Sequence, residues 1–135
     1  MEDKTEQIDN VIDDIFDKPN LRAIVVSDEN GLPVASRIYE EMEQDIELII
    51  SAVISTLINT GSKISTRLMM GEPTNIQMRL LNGMIIIETI QGTSCCGFLL
   101  PEEKEVNIPY YEIKIAEFVR KVKPILFPKD ENESW

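Results

Sequence analysis

The residue types that usually carry chemistry are thinly spread in this chain. There is no histidine, which removes the usual general base near neutral pH and the commonest metal ligand. The only two cysteines, Cys95 and Cys96, are adjacent in a strand-like stretch. Their side chains would point to opposite faces, so they neither bridge one another nor offer zinc-ligand spacing. Gly61-Ser62-Lys63 is a fragment of a phosphate loop, but the GxxxxGK[ST] pattern around it is missing. These three residues lie inside a helical stretch, where a glycine at a close packing point is the simpler reading. Asp28-Glu29-Asn30-Gly31 opens like a calcium loop, yet Leu32-Pro33-Val34 follows where more oxygen ligands are needed. Arg37, Arg67 and Arg79 have the charge an arginine finger uses on a transferring phosphate; each reads equally well as an ordinary surface residue. Acidic side chains abound, but nothing places two of them on facing elements. No catalytic residue, metal ligand or cofactor is expected, and the chain does not read as an enzyme acting alone.

Charge narrows the partners. Lys and Arg number 13 against 24 Asp and Glu, a formal net charge of −11 over 135 residues. That balance repels phosphate backbones and anionic lipid, so nucleic acid and membrane insertion are poor readings. A hydrophobic content of 43% suits one domain with a modest core. The opening MEDKTEQ is polar and carries no secretion signal, and apolar runs such as Met84-Ile85-Ile86-Ile87 are far too short to span a bilayer. Two unpaired cysteines fit a reducing, cytoplasmic setting.

The elements that would position any site follow from periodicity. Ile8, Val11, Ile12, Ile15 and Phe16 have helical spacing over residues 2–17, and Asp17-Lys18-Pro19-Asn20 should end that helix. Apolar runs over 21–26 and 32–35 flank the Asp28–Gly31 turn and predict a β-hairpin. Pro33 lacks an N–H, so the second strand should lie at a sheet edge. A long helix is expected over 40–70, stopped by Gly71-Glu72-Pro73. Strands over 74–81, 84–90 and 94–100 follow as a meander, with turns at Asn82-Gly83 and Gln91-Gly92-Thr93. A charged loop covers 101–105. A last helix should start after Asn107, a good N-cap, with Pro109 in its first turn. Ile115, Val119, Val122 and Leu126 give it an inward stripe, and Pro124 should kink or end it. The order αββαβββα is an α+β fold: a five-stranded antiparallel sheet with helices on both faces. One domain is expected over 1–127, followed by an acidic, disordered tail over 128–135.

The middle helix is more apolar than one sheet requires. Ile46, Ile49, Ile50, Val53, Ile54, Leu57, Ile58, Ile64 and Leu68 cover roughly half its circumference, against the ~100° stripe that one sheet needs. The expected docking set is Ile49, Val53, Leu57, Ile64 and Leu68. Ile54 and Ile58 would then stay exposed at the rim and mark an interaction surface. In the strand over 74–81, Arg79 is the only charge, and Pro73 lies just outside. Such thin edge protection favours pairing with another chain across a two-fold axis.

With the elements placed, the chain resembles the Roadblock (dynein light chain) family in its small prokaryotic form, over about residues 5 to 122. VVSDENGLPVAS at 25–36 carries the likeness, with the long helix holding Ser51, Ala52 and Gly61 and the strand pair NIQMRLLNGMIIIETI at 75–90. The resemblance implies a dimer, with itself or with another Roadblock protein, joined through the first meander strand and the long helices. On this chain that would place the dimer contacts at Ile50, Ile54, Leu57 and Ile58 of the helix and at Ile76, Met78 and Leu80 of the strand. It also implies a small Ras-like GTPase as partner, held by a non-catalytic regulator or scaffold that modulates the nucleotide cycle. Glu43, Glu47, Ser51 and Ser62 would form the partner-binding side. The alternative function is a sensory domain that binds a small ligand beside the sheet, or a structural adaptor with no GTPase partner.

Overall fold

A computed structural model describes residues 3–16, 20–102, 104 and 106–129. The elements are α1 (Lys4–Ile15), β1 (Ala23–Ser27), β2 (Pro33–Ile38), α2 (Ile46–Leu68), β3 (Asn75–Leu80), β4 (Gly83–Gln91), β5 (Ser94–Leu100) and α3 (Ile108–Leu126). The five strands form one antiparallel sheet in the order β2-β1-β5-β4-β3. The chain order and the edge position of β2 agree with the sequence reading. The proposed stop at 17–19, the loop residues 103 and 105 and the tail over 130–135 lie outside the described residues.

Local chemistry explains the boundaries. The Asp3 side chain accepts a hydrogen bond from the Glu6 amide at 2.8 Å and starts α1. Asn107 does the same for the Tyr110 amide at 3.1 Å and starts α3. In the hairpin turn the Asp28 carboxylate accepts from the amides of Asn30 and Leu32, and Gly31 takes φ +78°. Pro124 sits in the last turn of α3, which ends two residues later at Leu126. α2 is shorter than expected and starts at Ile46 rather than residue 40. Glu40, Glu41, Glu43, Asp45 and Glu47 would set like charges three and four residues apart on a helix, which disfavours that turn. Asp45 is instead left-handed at φ 62°.

The helices divide between the faces. α1 and α3 pack together on one face, burying Ile8, Ile12, Ile24, Ile86, Ile115 and Val122 around three phenyl rings. Phe16, Phe98 and Phe118 have ring centroids 5.7 to 5.8 Å apart. Asp13 accepts a hydrogen bond from Arg37 at 2.7 Å, and Lys121 meets Asp14 at 3.2 Å, clamping the rim. The other face carries α2 alone, whose Ile50, Ile54 and Ile58 pack with Ala23, Val25, Ile87 and Cys95.

That packing reverses the expected inward stripe of α2. Ile54 and Ile58, expected at the rim, are 1% and 2% exposed, and Ile50 is buried with them. Ile49, Val53, Ile64 and Leu68, expected to dock, are exposed; only Leu57 of that set is partly buried against the core. The cause is a notch at Gly97 on β5. A Cβ there would stand 2.2 Å from Ile54 Cδ1, so the absent side chain is what admits Ile54. An arc as apolar as that of α2 can seat several ways by periodicity, and the notch selects one.

Candidate interaction surface

The surface is built around the sheet edge at β3. Ile76 and Met78 are half-buried, while Asn75, Gln77, Arg79 and Leu80 are exposed along a strand paired only with β4. The register aligns two rows on the α2 side. In one, Ile76 faces Ile87, Gly97 and Val25 across successive strands, and α2 covers it through Ile54. In the other, Met78 faces Ile85, Leu99 and Ala23. Met78, Ile85 and Leu99 in this second row are only partly covered. At its end a groove of about 340 Å³ is lined by Arg22, Leu80, Leu81, Gly83, Ile85 and Leu99, among others.

α2 overshoots this edge. It packs on β2, β1 and β5, and at Gly61 it reaches the segment leading into β3, where an added Cβ would lie 3.2 Å from Pro73 Cγ. Beyond Gly61 come Ile64 (56% exposed), Leu68 (60%), Met69 (90%) and Met70 (77%). Leu68 follows Ile50 by about five whole helical turns, so it points the same way as that core residue but has no sheet beneath it. The helix closes with Met69 in a left-handed C-cap, the Met70 amide bonding the Ser65 carbonyl at 3.0 Å.

The residues singled out from sequence are only partly brought together. Ile76, Met78 and Leu80 do line the edge, and Leu57 is partly buried against the core on the α2 side. Ile50, Ile54 and Ile58 are spent on the core and are not available as dimer contacts. Ser51 is fully buried, its Oγ accepting from Ser27 Oγ at 3.1 Å, so it is not a partner contact. Ser94 Oγ donates to the Ser27 carbonyl at 2.7 Å in the same buried seam. Ser62 Oγ donates to Glu72 at 2.7 Å. Glu43 is exposed and Glu47 half-buried at the start of α2. Sequence reasoning missed the exposed Leu48, Ile49, Val53, Ile64 and Leu68. The glycine inside β5 was the one signal that could have found them. Burial pushes the Cys95 thiol up to about 11 and Cys96 higher than usual as well, so both are inert, protonated core thiols. α2 is long and apolar enough by length and composition to cross a membrane, but its inner face is part of the domain core.

The chain matches one family model. The Roadblock/LC7 domain model covers residues 7–95, well over half of the chain. The chain belongs to the Roadblock/LC7 family. No curated protein sequence matches it. Among solved structures it is similar to a Roadblock/LC7 domain from Streptomyces avermitilis, at 17% identity and TM-score 0.75, covering 93% of this chain and 98% of that one. It is also similar to the gliding protein MglB from Thermus thermophilus (6% identity, TM-score 0.80, 93% of each chain). Myxococcus xanthus MglB aligns at 12% identity and TM-score 0.79 over 97% of this chain and 98% of that one. At these identities the likeness to other Roadblock structures is one of fold.

Proposed function

We propose that this Roadblock protein is a non-catalytic dimeric platform that binds a small Ras-like GTPase and modulates its nucleotide cycle. One observation carries the dimer: a thinly protected β3 edge lies between a half-covered apolar row and a helix end that overshoots the sheet. Pairing β3 with β3 of a second copy about a two-fold axis satisfies the open backbone groups of both edges. The same operation carries Ile64 and Leu68 of each copy over the Met78, Ile85 and Leu99 row of the other. An excess of helix then meets a deficit of cover, reciprocally. The GTPase rests on family membership, since Roadblock domains serve such GTPases as activators, exchange-promoting scaffolds or structural platforms. The cytoplasm is the compartment that matches this role and the two reduced, buried cysteines.

Light-scattering mass across a concentration series tests the dimer. The expected mass is near twice 15.4 kDa, falling to one copy in Met78→Asp or Leu68→Asp with the melt otherwise preserved. A single-copy mass for the unsubstituted chain at every concentration would reject it. Affinity capture from host lysate, loaded with a non-hydrolysable GTP analogue or with GDP, tests the GTPase. Enrichment in one nucleotide state supports regulation, equal enrichment supports scaffolding, and no GTPase in either state rejects the reading. Ile54→Asp would test folding rather than association, because Ile54 is core.

A further inference from the structure

The N-terminal half of α2 carries an apolar surface and a charge imbalance that the dimer does not use. Leu48 is 50% exposed, Ile49 and Val53 are 44% each, and a shallow concavity of about 260 Å³ lies against Ala52, Val53, Thr56 and Leu57. Beside them stand Glu41, Glu43 and Asp45, all exposed, and Glu47 in the first helical turn. Several other acids have a cation beside them: Asp9 and Asp13 meet Arg37, Asp14 and Glu117 meet Lys121, and Glu40 meets Arg22. Among the described residues, no ion pair involves Glu41, Glu43, Asp45 or Glu47.

The helix start does not account for all four. A carboxylate near a helix N-terminus is favoured by the helix dipole, which explains Glu47. Asp45 occupies the N-cap, yet its carboxylate caps no amide, and Glu41 and Glu43 lie in the loop before the helix, beyond the first turn where the dipole acts. The surface also stays clear of the β3 edge. α2 meets Pro73 and Ile76 of β3 at Gly61, and Leu48 to Val53 lie two turns or more back along the helix from there.

We infer that this surface docks a basic amphipathic segment, with its apolar side chains on Leu48, Ile49 and Val53 and its Lys or Arg side chains against Glu41, Glu43, Asp45 and Glu47. Charge complementarity selects the occupant. Four unmatched carboxylates on a chain of net charge −11 repel an acidic segment or an anionic bilayer and attract a cationic one. The inference rests on the platform reading and names the chemistry by which the platform's partner is held.

The test uses the full chain, isotope-labelled, and a synthetic helix of about 18 residues, five turns, with leucines on one face and arginines on the other. Its counterpart has glutamate in place of arginine. The arginine peptide should bind with amide shifts confined to residues 41–57 and weaken steeply with added salt. It should bind roughly tenfold more weakly to E41Q/E43Q/D45N/E47Q, and the glutamate peptide should not bind. Shifts centred on α1 or α3, equal binding of both peptides, or unchanged affinity for the neutralised variant would overturn the inference. Should that variant fail to fold, Leu48→Ser with Val53→Ser probes the apolar half alone, and undiminished binding overturns the inference equally. GTPase capture is scored separately. If the wild type captures a GTPase and the neutralised variant captures it equally well, the platform stands and this surface falls. If the wild type captures none, the platform reading falls, while the peptide titration still decides the surface.

Discussion

The two faces of the sheet are finished to different degrees. On one, two helices lie side by side over Phe16, Phe98 and Phe118, and ion pairs from Arg37 and Lys121 close the rim. On the other, a single helix covers one apolar row, leaves a second half-open, and runs past the edge with Ile64 and Leu68 exposed. The two sheet edges repeat the contrast. β2 begins at Pro33, carries Arg37 bound to α1, and shifts register against β1 beside Ser27. β3 pairs regularly with β4 and has Arg79 as its one charge. Devices that block edge association are present at β2 and thin at β3. In the proposed dimer, the closed face supplies stability, and the open face with the open edge supplies the surface for a second chain.

The largest test of that division lies on the closed face. Phe118→Ala should cost about 3–5 kcal/mol of unfolding free energy, read from denaturant midpoints, because it opens a cavity among three rings. The folded fraction should keep its association state; loss of association without loss of stability would reverse the roles of the faces. Next comes the notch that seats α2. Gly97→Ala sets a methyl 2.2 Å from Ile54 Cδ1 and should cost about 1–3 kcal/mol through overpacking. Adding Ile54→Ala to it should cost less than the sum of the two single changes, a coupling that a double-mutant cycle detects.

Smaller effects on folding are expected on the open face. Leu68→Asp should change protomer stability by about 0.5 kcal/mol or less, as surface changes usually do, while abolishing the concentration dependence of the melting temperature that a dimer shows. A large stability loss with unchanged mass would mean that the overhang is core after all. The last test is in pH. Burial raises Cys95 from 9.0 to about 11, so the unfolded chain loses this proton at lower pH than the folded one. The corresponding stability is full below pH 9 and is lost as pH rises towards 11, with Cys96 adding in the same direction. Denaturant midpoints should therefore fall over that window, and Cys95→Ala should flatten part of the fall.

Much of the fold was legible in the residues because its signals are local. Asp28 and Gly31 form the hairpin turn, Asn107 caps α3, and the alternation of Asn75, Ile76, Gln77, Met78, Arg79 and Leu80 marks β3. The candidate surface was legible only in part. Ile76, Met78 and Leu80 were placed in the edge strand, where they lie, because strand alternation is a local signal. Ile50, Ile54 and Ile58 were assigned to the wrong side, because an apolar arc covering about half a helix leaves its orientation open by tens of degrees. Ser51 was missed as a buried residue because its partner Ser27 lies 24 positions away.

By itself, then, the sequence determined the kinds and order of the elements, the turns between them, the net charge of −11 and the absence of histidine. All of these are set by composition or by neighbours within a few residues. Tertiary structure alone decided the strand order β2-β1-β5-β4-β3, the seating of Ile54 over Gly97 and the overhang that exposes Ile64 and Leu68. Those depend on where distant segments meet in space, and a helix apolar on more sides than one sheet can cover takes its orientation from the shape of the surface beneath it.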